Sequence, residues 1–423
     1  MKLNNFYLNA LVTLLIAPLL GISCVLPGDE PKPIPTPAPP PISDLPNGLT
    51  LPSVSGSNVM NFSVDGLSCA AGSYPNKPCV KVTICNPGTD VCQTVNDILL
   101  DTGSYGLRVF KSAIPNLNLA PVLSHQGGKL TECVKFGDGS SEWGPVERAD
   151  VRLGGETAYS IPIHVLDSTF GMVPNTCGTP DPSPATAKFN GILGIGLFAE
   201  DCGKSCLGTH TSNGMYFDCS SGNTGVGGAG PAICSGGSTQ IITDQVQNPV
   251  TALPVNNNGV IIELPSLNPS GAPSVDGYLI FGVGTQANNS LTGVLKYSAD
   301  AHGQFTAQIN GSIYDSFLDS GSNGVFFPAT ADLPACGPWF CPSVSKTYSS
   351  INKSADGSTA STIRFQVANA TQLLNSPNHT FNNLSGDGGG MIDYGLPFYF
   401  GRNIAVVIDG RNSSLGHGPL WAY

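Results

Sequence analysis

Two short stretches constrain what this chain of 423 residues can fold into. The first, DILLDTGSYGLRVF (97–110), reads as an apolar strand that runs into Asp-Thr-Gly and leaves through a second apolar run. The second, SFLDSGSNGVFFP (316–328), repeats that arrangement. Laid over each other, LDTGSYGLRVF and LDSGSNGVFFP share Leu, Asp, Gly, Ser and the second Gly, with mild changes at Thr/Ser and Leu/Val. A repeat of so long a period implies duplicated lobes rather than a solenoid of small units.

The duplication places one carboxylate at the end of a buried strand in each lobe. If Asp101 and Asp319 meet across the lobe interface, they cannot both ionise cheaply. They share a proton, so one acts as base and the other as acid. Activating a water against an amide carbonyl requires that pairing: the base takes the water proton, and the acid protonates the carbonyl oxygen as a tetrahedral diol forms. The chemistry calls for no metal, cofactor or covalent nucleophile. Gly103 and Gly321 allow the backbone to pass close to the partner turn, where a Cβ would obstruct. Thr102 and Ser320 carry hydroxyls able to bond to the opposite lobe, and Ser104 and Ser322 can donate to the carboxylates.

Composition agrees with an all-β chain rich in turns. Gly (52) and Pro (35) are abundant, only 11% of residues are charged, and long helical stripes are absent. The net charge of −11 argues against a nucleic-acid partner and is read as solubility. Residues 1–24 are expected to be a targeting segment: Lys2, an apolar run too short for a good membrane span, then Gly21-Ile22-Ser23-Cys24. This end is similar to a bacterial lipobox with Cys24 as the lipidated residue, although Gly21 stands where Leu is usual. An ordinary secretory signal is the other reading. A Pro-rich tether over 25–48 is expected to stay extended outside the packed core. The chain is then an exported protein, lipid-anchored in the cell envelope; Val25, with no Asp at that position, favours the outer membrane by analogy.

Setting Cys24 aside, twelve of the 13 cysteines remain, an even number that suggests up to six disulfides. Cys336/Cys341 and Cys202/Cys206 are close enough to pair locally; the other connectivities stay open. Zinc is the competing reading, weakened by scattered histidines and the lack of a Cys-x2-Cys pair. The body divides into an N-terminal lobe over 49–250 and a C-terminal lobe over 251–423. The Gly-rich NTGVGGAG and SGDGGG (385–390) both read as loops.

These motifs, in this order, resemble the pepsin-like aspartic peptidases. The two turns match Asp101-Thr102-Gly103-Ser104 and Asp319-Ser320-Gly321-Ser322. The apolar-apolar-Gly strand that follows the first Asp matches Ile192, Leu193 and Gly194 in FNGILGIGLF. Gly277-Tyr278-Leu279-Ile280-Phe281-Gly282 and Ile404-Ala405-Val406-Val407-Ile408-Asp409 are similar to the strands before the second Asp and near the C-terminus. The resemblance spans about 55–423 and points to a diverged branch of bacterial lipoproteins. It implies an all-β, bilobal pepsin-like aspartic protease fold with a central cleft. It further implies an endopeptidase in which Asp101 and Asp319 are catalytic, acting as a monomer on a peptide or protein substrate. The flap is expected over 133–146.

Three departures stand out. The family's flap tyrosine is replaced in Phe136-Gly137-Asp138-Gly139-Ser140, with Trp143 either a substitute or a packed hairpin aromatic. The second apolar-apolar-Gly element is matched only by Asp393-Tyr394-Gly395, with a charge where an apolar residue is expected. Arg108 stands where a large aromatic is frequent and is expected to be an exposed or ion-paired surface residue. A binding lipoprotein that keeps the fold without turnover is the rival reading, and a disulfide-rich surface scaffold is a third.

Overall fold

The structure, a computed structural model, describes residues 42–43, 51, 53–66, 68–69, 74–220 and 231–423. The targeting segment with Cys24, most of the tether and NTGVGGAG lie outside the described residues. Of the tether, Ile42–Ser43 forms a short strand parallel to Ala360–Val367, so this piece does join a sheet.

Strand Cys92–Asp101 carries Ile98, Leu99 and Leu100 into the interior and delivers Asp101 at its end. The chain turns at Thr102–Ser104 and returns as Tyr105–Phe110. Strand Gly191–Ile195 slots between these two, parallel to the first and antiparallel to the second, with Gly194 level with Asp101. The second half repeats the arrangement. Ser312–Asp319 runs parallel to Met391–Gly395, with Gly395 level with Asp319, and Val325–Phe327 pairs antiparallel on the other side. Each inserted strand needs glycine at this level. A Cβ at Gly194 would lie 2.7 Å from the Tyr105 nitrogen, and one at Gly395 would lie 2.1 Å from the Gly324 carbonyl oxygen.

The two copies bury equivalent layers. Leu193 aligns with Leu100 and Leu107, and Tyr394 with Leu318 and Val325; all six are at most 2% exposed. Tyr394 is accommodated in this layer because its hydroxyl bonds to Ser350 Oγ at 2.6 Å and donates to Asn352 Oδ1 at 2.7 Å. Each large apolar side chain buried this way contributes about 1.5–3 kcal/mol.

The first copy belongs to a 16-stranded sheet and the second to a 10-stranded one. Val59–Val64 pairs with Val275–Phe281, and Gly259–Glu263 with both Val275–Phe281 and Asn403–Val407, so strands from both halves share the larger sheet. One continuous apolar core runs through both halves, from Phe62 to Trp421. The chain thus has the all-β, two-lobed pepsin-like aspartic protease fold. Six disulfides tie its edges: Cys202–Cys206 and Cys336–Cys341 as the spacing suggested, with Cys69–Cys79, Cys85–Cys92, Cys133–Cys177 and Cys219–Cys234. Within SGDGGG, Ser385–Asp387 is a strand parallel to Val325–Phe327 rather than loop, its backbone groups recruited by that neighbour.

Candidate active site

The two acidic turns meet face to face. Thr102 N–H donates to Ser320 Oγ at 3.1 Å, and Ser320 N–H donates to Thr102 Oγ1 at 3.0 Å. Each hydroxyl then donates onward into the opposite lobe, Thr102 to the Leu318 carbonyl at 3.0 Å and Ser320 to the Leu100 carbonyl at 2.8 Å. All four bonds are buried and join residues 216 to 220 apart in sequence. They fix one turn against the other. Tyr399 adds a fifth link, its hydroxyl 2.7 Å from Thr102 Oγ1.

Within each turn the carboxyl is held by its own loop. Asp101 accepts from Gly103 N–H at 2.7 Å and from the Ser104 hydroxyl. Asp319 accepts from Gly321 N–H at 2.8 Å, Ser322 N–H at 3.2 Å and the Ser322 hydroxyl at 2.9 Å. The charge of Asp319 acts directly on the Asp101 carboxyl. Their closeness shows at the glycines: a Cβ on Gly103 would lie 2.5 Å from Asp319 Cγ, and one on Gly321 would lie 2.8 Å from Asp101 Oδ1. Burial and the adjacent Asp319 charge push the Asp101 carboxyl well above the usual carboxylate range.

The sequence missed several groups at this site. Tyr105 and Tyr74 lie near enough to feel both carboxylates; burial first, then these charges, raises both phenols. Asp393, noted in the sequence only as a charge out of place, is held well above the ordinary range by burial and then by Asp319. Its signal was Met-Ile-Asp-Tyr-Gly itself, because the strand's register against Ser312–Asp319 puts Asp393 beside the second turn.

The expected flap is an antiparallel hairpin of Lys129–Lys135 and Ser141–Leu153. Its tip, Phe136-Gly137-Asp138-Gly139-Ser140, is closed by its own bonds: Phe136 N–H to the Ser140 carbonyl at 3.0 Å, and Ser140 N–H to Asp138 Oδ1 at 2.9 Å. Phe136 is half-buried and the next three residues are exposed. Trp143 is not a flap aromatic. It is 1% exposed, donates Nε1–H to the Phe170 carbonyl at 2.8 Å and packs edge-on against Phe217, beside the Cys133–Cys177 disulfide. This is the packed-hairpin alternative.

Arg108 is ion-paired but not at the surface. At 1% exposure, its guanidinium donates to Glu132 at 2.7 Å, Asp201 at 2.9 Å and the Tyr105 carbonyl at 2.6 Å. His164 Nδ1 lies 3.2 Å from Glu132, and Tyr216 donates its hydroxyl to Asp201 at 2.6 Å. Burial outweighs the Glu132 charge and holds His164 down to about 4. This cluster ties the hairpin strand to the strand that leaves the Asp101 turn.

Among solved structures, the chain is similar to an aspartic proteinase from Irpex lacteus, at 14% identity and a TM-score of 0.46, covering 84% of this chain and 96% of that one. No curated protein matches it. A family model described as a protein of unknown function, DUF3443, matches residues 54–423, and the chain belongs to that family.

Proposed function

We propose that the protein is an aspartic endopeptidase in which Asp101 and Asp319 activate a water between them. The observation that carries this is the pair of carboxyls, one from each lobe, brought together by turns cross-braced through Thr102 and Ser320, with the glycine of each turn packed against the aspartate of the other. A water held by both loses one proton to the ionised carboxyl as its oxygen attacks the amide carbon. The protonated carboxyl gives its proton to the carbonyl oxygen. The resulting diol collapses as the C–N bond breaks: the leaving nitrogen takes up a proton from one carboxyl, and a diol hydroxyl gives its proton to the other, which restores the singly protonated pair. Ser104 and Ser322 orient the carboxyls, Thr102 and Ser320 lock the turns, and Gly103 and Gly321 permit their approach. The 133–146 hairpin, with Phe136 at its tip, covers the substrate, an extended peptide held through its backbone as an added strand. Export, a lipid anchor at Cys24 and monomeric action belong to the same proposal and rest on the sequence. Among the described residues no helix is long and apolar enough to cross a membrane.

A peptide whose scissile amide is replaced by a secondary alcohol tests this reading against simple peptide binding. The alcohol stands in for the diol, so a hydrolase binds it at least about a hundredfold tighter than the parent amide. Calorimetry near pH 4 reads both affinities. The expected outcome is that discrimination, lost in Asp101→Asn. Equal affinities for the alcohol and the amide would place the protein among binding modules.

A further inference from the structure

Asp393 lies two residues before Gly395, in register with Phe317 on one side and Phe326 on the other. Side chains alternate along these strands, which separates two layers. Leu318, Tyr394, Ile392 and Val325 form the buried layer, at most 2% exposed. Asp319, Asp393, Phe317 and Phe326 lie on the other face and are only half-buried. Asp393 therefore shares the face of the second aspartate. By the same register, the matching residue of the first lobe is Ile192, level with Leu99 and Arg108. The two-fold likeness of the lobes is broken here by a charge.

Asp393 Oδ1 is out of contact with solvent and has no hydrogen-bond partner among the described residues. The nearby Ser322 hydroxyl donates its one proton to Asp319 Oδ2 at 2.9 Å. Among the described residues, the charges that act on Asp393 are those of Asp319 and Asp101, both acidic. Leaving a buried carboxyl oxygen unpaired is destabilising, and an apolar residue such as Ile192 avoids that cost. A cation delivered to this spot supplies the missing donor and offsets the clustered negative charge.

We propose that Asp393 is a specificity-determining residue that receives the lysine or arginine side chain of the substrate residue flanking the scissile bond on the C-terminal lobe's side. The assignment rests on the peptidase reading, which it deepens. As the cation enters, Asp393 ionises and releases its proton to solvent. Each peptide is then held with a basic residue on one side of the cut.

The test uses the full chain and pairs of otherwise identical peptides, with lysine or norleucine scanned through each position around the cut. The expected result is a kcat/KM ratio of at least about tenfold in favour of lysine at one flanking position. The ratio falls to near one in Asp393→Asn, and Asp393→Ile turns it towards norleucine. A ratio near one in the parent, or one that survives in Asp393→Asn, overturns the assignment. If no peptide is cleaved, the peptidase reading fails separately, and the same pairs are titrated as ligands by calorimetry. A lysine preference in binding that Asp393→Asn abolishes then supports the assignment, and equal affinities overturn it.

Discussion

Glu142 sits in the hairpin at 1% exposure, with Oε2 buried and unpartnered. Burial, then the charges of Asp181 and Asp138, push its carboxyl up to about 9. The folded protein keeps a proton there at neutral pH and the unfolded chain does not. Its contribution to stability is therefore fully present below the ordinary carboxyl range and is lost as pH rises towards the raised value. Glu142→Gln removes that loss. The expected gain is about 1–3 kcal/mol at pH 7, shrinking towards zero near pH 4, measured by urea denaturation. An equal gain at both pH values would contradict the protonation argument. At this scale the sequence was most informative where a residue's partner is local. Asp101 with Ser104, and Asp319 with Ser322, are three residues apart and legible as turns. Asp393 was not legible as part of the site, because its place depends on a strand register that joins it to residues more than sixty positions away.

The strands that carry the acidic turns were recognisable from their apolar runs, and the inserted Gly strand of the first lobe from Ile192-Leu193-Gly194. The second was obscured because Asp393 puts a charge where an apolar residue is expected, and Tyr394 beside it depends on Ser350 and Asn352, some forty residues earlier, to satisfy its hydroxyl. Arg108 was misplaced for the same reason. Its partners Glu132 and Asp201 are 24 and 93 residues away, and alternation along one strand does not reveal them. The cluster makes Arg108 an element-scale tie: it joins Tyr105–Phe110 to Lys129–Lys135, and Asp201 anchors Tyr216 of the next hairpin. Arg108→Met leaves Glu132 and Asp201 buried without their cation. Stability is expected to fall by about 3–5 kcal/mol, read from urea midpoints at unchanged slope. A loss below about 1 kcal/mol would mean that the cluster is wetter and weaker than its burial implies.

Across the whole molecule, the duplication seen in the two acidic stretches becomes two lobes that share a large sheet and one continuous core. Four buried hydrogen bonds cross between the turns and hold the two carboxyls together. That frame was readable from the sequence because it repeats. The hairpin could be placed, but the burial of Trp143 against Phe217 and the disulfide could not, since it requires strands from three separate segments. What the frame is for is decided by turnover. The most direct measurement incubates the full chain with a diverse peptide mixture from about pH 3 to 7, the range of a proton-sharing carboxyl pair. Asp101→Asn and Asp319→Asn run alongside, and mass spectrometry reads the products. Cleavage by the parent that vanishes in both variants is the expected result. A folded parent that cleaves nothing across the range, or cleavage that persists in either variant, would contradict an aspartic dyad as the working centre.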